Sequence, residues 1–397
     1  MKILVVSQYY YPEQFLINEI APEFVKRGHE VTVLTGLPNY PSGYVPNEYK
    51  NGKKREESIE GVRIIRVNEH GRKKGKINLI LNYISFAYYG TKKTKELSDY
   101  DLVLSYQLSP ITMLMPAIKY SKKNKVPLLV YCLDIWPESA QAMIGTGTLY
   151  RLVEKYSRKL YQKCDKIAVT SESFIPYMME QNMIKQEKVV YIPQHASGEM
   201  LDFDLTSEEN GIADFMFAGN LGKGQKIEVI LKAVREIKQK DINTKFIVHI
   251  VGDGSMRDTL EQMTIDYNIT DKVIFYGNQP REKMKEWYQR ADVLLITLRG
   301  NNFVGNTMPG KLQTYMTTGK PILGSINGSA QQIIEEAKCG ACVSAENPHG
   351  LAELMLNYIN KKENYSECGK NARDYFKKHF TLPIYIDRLE NTMKELV

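Results

Sequence analysis

"ADVLLITLRGNNFVGNTMPGKLQTYMTTGKPILGS", residues 291–325, reads as a strand, a polar loop ending in Pro-Gly-Lys, a helix opening at Leu312, then Gly-Lys-Pro and a second strand. A polar loop that feeds a helix N-terminus at the carboxyl end of a strand is where α/β proteins bind anions. This loop offers a lysine and backbone amides, and between Leu298 and Thr314 it carries no carboxylate for a metal.

The same strand-to-helix alternation extends in both directions. Upstream in the same half lie the strands "DFMFAGN", "KFIVHIVG" and "KVIFYG", with the helical patterns "KIEVILKAVREIKQ", "MRDTLEQMTIDYN" and "EKMKEWYQRA" between them. Downstream come "SAQQIIEEAK", "GACVSA" and "PHGLAELMLNYINK". The first half repeats the theme with "KILVVS", "HEVTVLTG", "VRIIRV", "DLVLSY", "PLLVYCLD", "KIAVTS" and a short "KVVYIP". Alternation of this kind predicts parallel sheets with helices on both faces. The polar stretch 194–212, "QHASGEMLDFDLTSEENGI", has no periodicity and reads as a linker. The fold class is therefore α/β, two doubly wound Rossmann-like domains facing across a cleft. Residues 1–200 are expected to form the first domain and 205–370 the second, with a helical segment 371–397 crossing back.

A chain of 397 residues is long enough for two cores of roughly 150–200 residues each. Apolar content of 43% and charged content of 25% are those of a globular protein. The start, "MKILVVSQYY", reads as a strand rather than a signal peptide. Five cysteines without framework spacing point to reduced thiols in a cytosol, and a lone "CGAC" is weak support for a metal. The net charge of +7 is uneven: residues 1–195 hold 28 Lys and Arg against 19 Asp and Glu, and the remainder 25 against 27. Clusters such as "HGRKKGK" and "TKKTK" fit an anionic membrane, an anionic substrate or a solvated surface. Between them, Ile77 to Tyr89 is too short and too polar to span a bilayer. It reads either as an interfacial helix, with Leu79, Tyr83, Phe86 and Tyr89 dipping inward, or as a core-facing helix.

Several chemistries are disfavoured. A dinucleotide fingerprint needs G-x-G-x-x-G after the first strand, and "QYYYPEQF" stands there instead. "VGDGSM" has Gly252 and Gly254 but no third glycine, there is no P-loop, and the six histidines form no zinc-enzyme pair. What remains is a set of backbone-donor loops in the second half: "FAGNLGKGQK" with Gly219, Gly222 and Gly224, "VGDGS", and "PGKLQTY". All follow strands, so they converge on one phosphorylated ligand, with Lys311 or Lys226 as the countercharge. In "YCLDIWPES", Asp134 follows a strand end and is the candidate to orient an acceptor or steady positive charge; Glu138 is a weaker candidate.

Taken together, "RGHEVTVLTG", "DIWPES", "AGNLGKGQ" and "PGKLQTYMTTGKPIL" resemble the retaining glycosyltransferases of family 4, with the GT-B fold, and within them a WbuB-like branch that builds capsule and O-antigen glycans. The resemblance runs over essentially the whole chain. It implies that the second domain binds a nucleotide sugar and the first an acceptor. The family's phosphate loop falls on Gly219, Asn220, Gly222, Lys223, Gln225 and Lys226; Gln225 stands where most members have lysine, so Lys223 or Lys226 is expected to substitute. Asn278 and Gln279 fall on the base-binding loop, and Pro309, Gly310, Lys311 and Leu312 on the segment that holds the diphosphate. The family's paired glutamates align on Asn306 and Thr314, so both carboxylates are absent. Glu13 lies in the first strand-to-helix loop, where it is expected to touch donor or acceptor.

The implied activity is a retaining, metal-independent transfer with no cofactor. The expected donor is a UDP-linked sugar of the N-acetylated hexosamine type. The expected acceptor is a polyprenyl-diphosphate-linked glycan, met peripherally on the cytoplasmic face of the plasma membrane. No nucleic-acid partner is expected. A sugar-nucleotide epimerase of the same fold and a non-catalytic nucleotide-binding protein are the alternatives. The first wants carboxylates and histidines around the sugar. The second wants basic residues interleaved with stacking aromatics, whereas the 26 tyrosines spread through both halves.

Overall fold

The computed structural model describes residues 1–300 and 307–397. The chain divides into two units: Met1–Pro193 together with Tyr385–Val397, and Gln194–Ile384.

In the first unit, β1 (Lys2–Val6), β2 (Glu30–Thr35), β3 (Glu56–Ile59), β4 (Val62–Arg66), β5 (Leu102–Gln107), β6 (Leu128–Cys132), β7 (Lys166–Val169) and β8 (Val189–Tyr191) form one sheet in the order β3-β4-β2-β1-β5-β6-β7-β8. All neighbours pair in parallel except β3 with β4. Strands covered on both faces need side chains that tolerate dehydration on both, and β5 and β6 are buried at every position. The strand β3 was not expected. It closes a hairpin through Glu60 and Gly61, both at positive φ, which is what a two-residue turn matched to strand twist requires.

In the second unit, β9 (Ala213–Ala218), β10 (Phe246–Val251), β11 (Val273–Gly277), β12 (Val293–Thr297), β13 (Ile322–Ser325) and β14 (Gly340–Val343) form a fully parallel sheet ordered β11-β10-β9-β12-β13-β14. Alternation along β9 sends Phe215 and Phe217 into one core layer and Met216 and Ala218 into the other. The direction in which successive strands are added reverses between β9 and β12 here and between β1 and β5 in the first unit. These are the switch points at which doubly wound sheets open a crevice.

Two expected boundaries shift. Met200 and Leu205 belong to the core of the second unit, so that unit begins at Gln194 rather than 205. The returning segment begins at Tyr385 rather than 371, because Ala372 and Phe376 of the helix Cys368–His379 are buried in that same core. Beyond it, Tyr385 packs edge-on against Tyr131 at 5.3 Å, and Arg27 pairs with Asp387 and Glu390 at 2.5 and 3.0 Å.

Candidate active site

The second unit brings together the carboxyl ends of β9, β10 and β11. A hollow of about 350 Å³ is lined there by Gly219, Asn220, Gly252, Asp253, Asn278 and Gln279, among others. Its rim is backbone tied to backbone. The amide of Gly219 donates to Val251, that of Gly252 to Gly277, and that of Leu221 to Asp253, at 2.8–2.9 Å. The loop after β9 is also fastened to the end of β12, through Thr297 Oγ1 to the Gln225 carbonyl (2.6 Å) and the Arg299 amide to the Gly224 carbonyl (2.9 Å). The switch point between β9 and β12 is thus pinned from both sides. Gln279 donates back to the Tyr276 carbonyl at 2.7 Å, while Asn278 is exposed.

The loop and helix that opened the sequence reading complete the arrangement. The helix runs Gly310–Thr318 with Pro309 before its first turn. The Leu312 amide is already taken by the Pro309 carbonyl at 2.9 Å. Gly310 and Lys311 therefore supply the first-turn amides that the helical ladder does not use. Thr314 bonds back to the Gly310 carbonyl (3.4 Å), and Asn306 lies outside the described residues.

The ammonium of Lys311 lies 3.8 Å from the Phe217 ring centroid, donates to Gln225 Oε1 at 2.5 Å, and sits 3.2 Å from where a β-carbon on Gly219 would be. Among the described residues no carboxylate pairs with it. Burial pushes its pKa down to about 7, since an ammonium removed from water prefers to lose its proton. A dehydrated ammonium beside first-turn amides that the helical ladder does not use has the chemistry to oppose an anion.

Lys226, the alternative countercharge, is occupied elsewhere. It takes a left-handed backbone (φ 54°) and bridges Glu346 (3.0 Å) and Glu228 (3.4 Å), which raise its pKa. Lys223 is exposed in the short turn after Gly222. Sequence reasoning missed Tyr315. Its buried hydroxyl accepts from the Ala218 amide (2.8 Å) and donates to the Ala218 carbonyl (3.1 Å), locking the end of β9 to the Lys311 helix.

A pH dependence follows from the Lys311 amine. A bound diphosphate would hold it protonated, so binding takes up a proton once the free site has lost its own. Phosphate ionisation is complete above about pH 7, so only the lysine titrates there. Affinity for a nucleoside diphosphate, measured by calorimetry, is expected to peak near pH 7 and to fall toward tenfold per unit above it. A flat profile from pH 7 to 9 would remove Lys311 from the site.

In the first unit the expected residues have different surroundings. Asp134 Oδ2 accepts from Ser109 Oγ at 2.7 Å, and Ser109 in turn accepts from Trp136 Nε1 at 3.1 Å. Glu138 has one oxygen on Tyr150 (2.7 Å) and the other on Tyr177. Glu13 is buried and accepts from the amides of Asn39 and Tyr40 at 2.7 and 2.6 Å, yet dehydration still pushes its pKa up to about 7. A second acid, Glu69, was not anticipated. It is buried, accepts from Gln8 and Asn82, and is raised well above the usual carboxylate range by that burial. Gly36 makes its room, because a β-carbon there would stand 1.5 Å from Glu69 Oε2.

Of the two readings of the helix Lys76–Lys93, the burial fits the core-facing one. Phe86 is buried and Leu79 and Tyr83 are partly so, while Ile77 and Ile84 are 75% and 55% exposed, alongside Leu81 and Tyr88. No helix among the described residues is long and apolar enough to cross a membrane.

Two doubly wound sheets, parallel throughout except for β3, the second ending in a crevice lined by Gly219 and Gly252, define the GT-B class of α/β proteins. Residues 15–194 match the Glycosyltransferase Family 4 domain and residues 204–375 the family Glycosyl transferases group 1, so the chain is a two-domain glycosyltransferase. It is 27% identical to the probable glycosyltransferase WbjE of Pseudomonas aeruginosa, over 67% of this chain and 68% of that protein. It is 23% identical to the putative colanic acid biosynthesis glycosyl transferase WcaI of Escherichia coli K12, over 80% and 82% of the two chains. The structure of Anabaena Alr3699/HepE in complex with UDP superposes with a TM-score of 0.71 at 14% identity, covering both chains completely. That likeness is one of fold.

Proposed function

We propose that this glycosyltransferase moves a sugar from a nucleoside-diphosphate donor to a polyprenyl-diphosphate-linked glycan during cell-surface polysaccharide synthesis. The observation that carries the proposal is Lys311, a dehydrated cation without a carboxylate, set against the Gly219 loop and the head of the Gly310–Thr318 helix. The relatives named for colanic acid biosynthesis and for a UDP complex support the pathway class and a UDP-linked donor. A sugar of the N-acetylated hexosamine type is assigned on the resemblance alone.

The reaction is assigned as retaining and front-face. The anomeric carbon breaks its bond to the β-phosphate oxygen and joins the acceptor oxygen on the same side. The acceptor proton leaves with the nucleoside diphosphate. The Lys311 ammonium and the first-turn amides of Gly310 and Lys311 oppose the charge that grows on the departing phosphate, the kind of preorganised electrostatics that stabilises a transition state most. No metal is assigned, because residues 298–314 carry no carboxylate to hold one. Asp134 is assigned to the acceptor side. The exposed stripe on the helix Lys76–Lys93, with lysines at both ends, supports peripheral work on the inner face of the plasma membrane.

A thermal-shift panel of UDP, GDP, dTDP, CMP and ADP, with EDTA or manganese, tests the donor half. Ligand at 100 times its Kd stabilises by about 2.7 kcal/mol, roughly 5–10 °C for a unit of this size. UDP is expected to give that shift in both conditions. A flat panel overturns the donor assignment, and a shift that needs manganese overturns metal independence.

A further inference from the structure

An open groove of about 380 Å³ runs along the surface of the first unit between the helices Lys76–Lys93 and Thr148–Tyr161. Ile80, Tyr83 and Ile84 form one wall, Leu149 and Tyr156 the other, and Trp136 lines it as well. Ile80, Ile84 and Leu149 are each more than half exposed. Apolar side chains gathered around an open slot mark a place where something apolar binds.

The surroundings of the groove narrow the choice of occupant. Trp136 lines the groove with its ring and donates from Nε1 to Ser109, which donates to Asp134. Two hydrogen bonds therefore link the wall of the apolar slot to the carboxylate assigned to the acceptor side. Tyr83 packs edge-on against Trp136 at 6.4 Å and carries the Arg72 guanidinium 6.0 Å from its ring centroid. Among the described residues Arg72 forms no ion pair, and Lys76 stands at the groove itself. The first turn of the Lys76–Lys93 helix holds no acid. Positive charge at the head of a hydrocarbon slot, next to an acceptor-side carboxylate, is complementary to an amphiphile whose anionic head joins directly to its chain.

We propose that this groove takes the isoprenoid segment next to the diphosphate of the lipid-linked acceptor, with Arg72 and Lys76 facing the diphosphate. The assignment rests on the transferase reading above and adds a lipid subsite to it. Bulk bilayer lipid is the lesser fit. Ile77, Leu81 and Tyr88 lie on the same helix outside the groove and already offer a general membrane face, whereas Trp136 in the groove's wall is tied through Ser109 to Asp134.

Farnesyl diphosphate, a water-soluble probe with the same head and chain chemistry, tests this on the full chain. The protein has two tryptophans, so Trp287→Phe leaves Trp136 as the sole reporter. Farnesyl diphosphate is expected to change that fluorescence saturably and to bind at least tenfold more tightly than inorganic diphosphate. Ile80→Asn with Leu149→Asn, both at exposed positions, is expected to erase the tenfold gain. Ile77→Asn with Leu81→Asn, outside the groove, is expected to keep it. Equal binding of farnesyl and inorganic diphosphate overturns the proposal, as does loss of the gain in the second pair. Dodecyl phosphate binding as tightly as farnesyl diphosphate also overturns it, in favour of bulk lipid. No nucleotide enters the assay, so a UDP thermal shift on the same preparation separates failure of the groove from failure of the transferase reading.

Discussion

Lys311→Met is expected to lower kcat/KM at least 100-fold while raising the melting temperature. The two effects share one cause. The ammonium is a buried basic group set against the Gly219 loop, with no carboxylate partner among the described residues. It is therefore available to meet charge on a departing diphosphate, and 100-fold corresponds to about 2.7 kcal/mol of lost transition-state stabilisation. In the empty site the same group is a liability. Its pKa falls from 10.5 to about 7 on burial, so the unfolded chain binds more protons than the folded one between those values. Stability then rises with pH across that window, and the full cost of the dehydrated cation is felt below pH 7. Methionine fills similar volume without charge and keeps contact with the Phe217 ring. The gain in melting temperature, about 2–4 °C for each kcal/mol recovered, is expected to be largest at pH 6.5 and to shrink by pH 9. Scanning calorimetry at the two pH values, beside initial rates, checks both. A variant that loses activity and stability together at pH 6.5 would show that Lys311 holds the loop rather than waiting for an anion.

Sequence reading recovered those parts of the molecule whose signals are local. Parallel strands wear their burial openly: "LVLSYQ" and "VLLIT" are enclosed at every position. Glycines directly after such strands, Gly219 and Gly252, lie at the crevice because a backbone turning tightly off a sheet needs their φ of 147° and 134°. The strand "EESI" escaped because its support is ionic rather than apolar. Glu56 and Glu57 pair with Arg63 and Arg66 across the hairpin at 2.9 and 2.5 Å, which leaves no hydrophobic period to read.

The choice between Lys226 and Lys311 was equally hidden. Glu346, which holds Lys226, comes from far along the chain. Tyr315 is one of 26 tyrosines, and its distinction is a pair of hydrogen bonds to Ala218, 97 residues away. Glu69 depends likewise on Gln8, 61 residues off. Long-range hydrogen bonds to buried groups follow from the topology, so they become visible only once the strand order is known. Helix facing is a subtler case. The helix Lys76–Lys93 carries apolar residues on several sides, with polar Asn82 among the buried ones, so periodicity alone does not say which side the core takes.

Gly252→Ala is expected to be the most damaging single-methyl change in the second unit's crevice. A β-carbon at that position would stand 1.9 Å from the Gly219 carbonyl oxygen and 2.9 Å from its carbon, on a backbone whose φ of +134° alanine rarely adopts. Neither loop has a direction in which to yield. The Gly219 amide is bonded to Val251, the Gly252 amide to Gly277, and Ala218 is held at both its amide and its carbonyl by Tyr315. Relieving the clash therefore breaks hydrogen bonds at the ends of three strands. Combined overlap and backbone strain place the cost at about 3–5 kcal/mol, a fall in melting temperature of at least roughly 6 °C. Because Gly219 and Gly252 both line the crevice, nucleotide affinity should drop with stability. Gly224→Ala supplies the comparison. It lies in the same loop, its β-carbon would meet nothing within 4 Å, and its φ lies outside the left-handed region. That variant should melt within about 1–2 °C of the parent, as surface substitutions do. Equal melting of the two variants would mean that the β9 and β10 loops do not meet backbone to backbone. With that contact gone, the amides would no longer be preorganised around a phosphate, and the electrostatic account of the reaction would lose its scaffold.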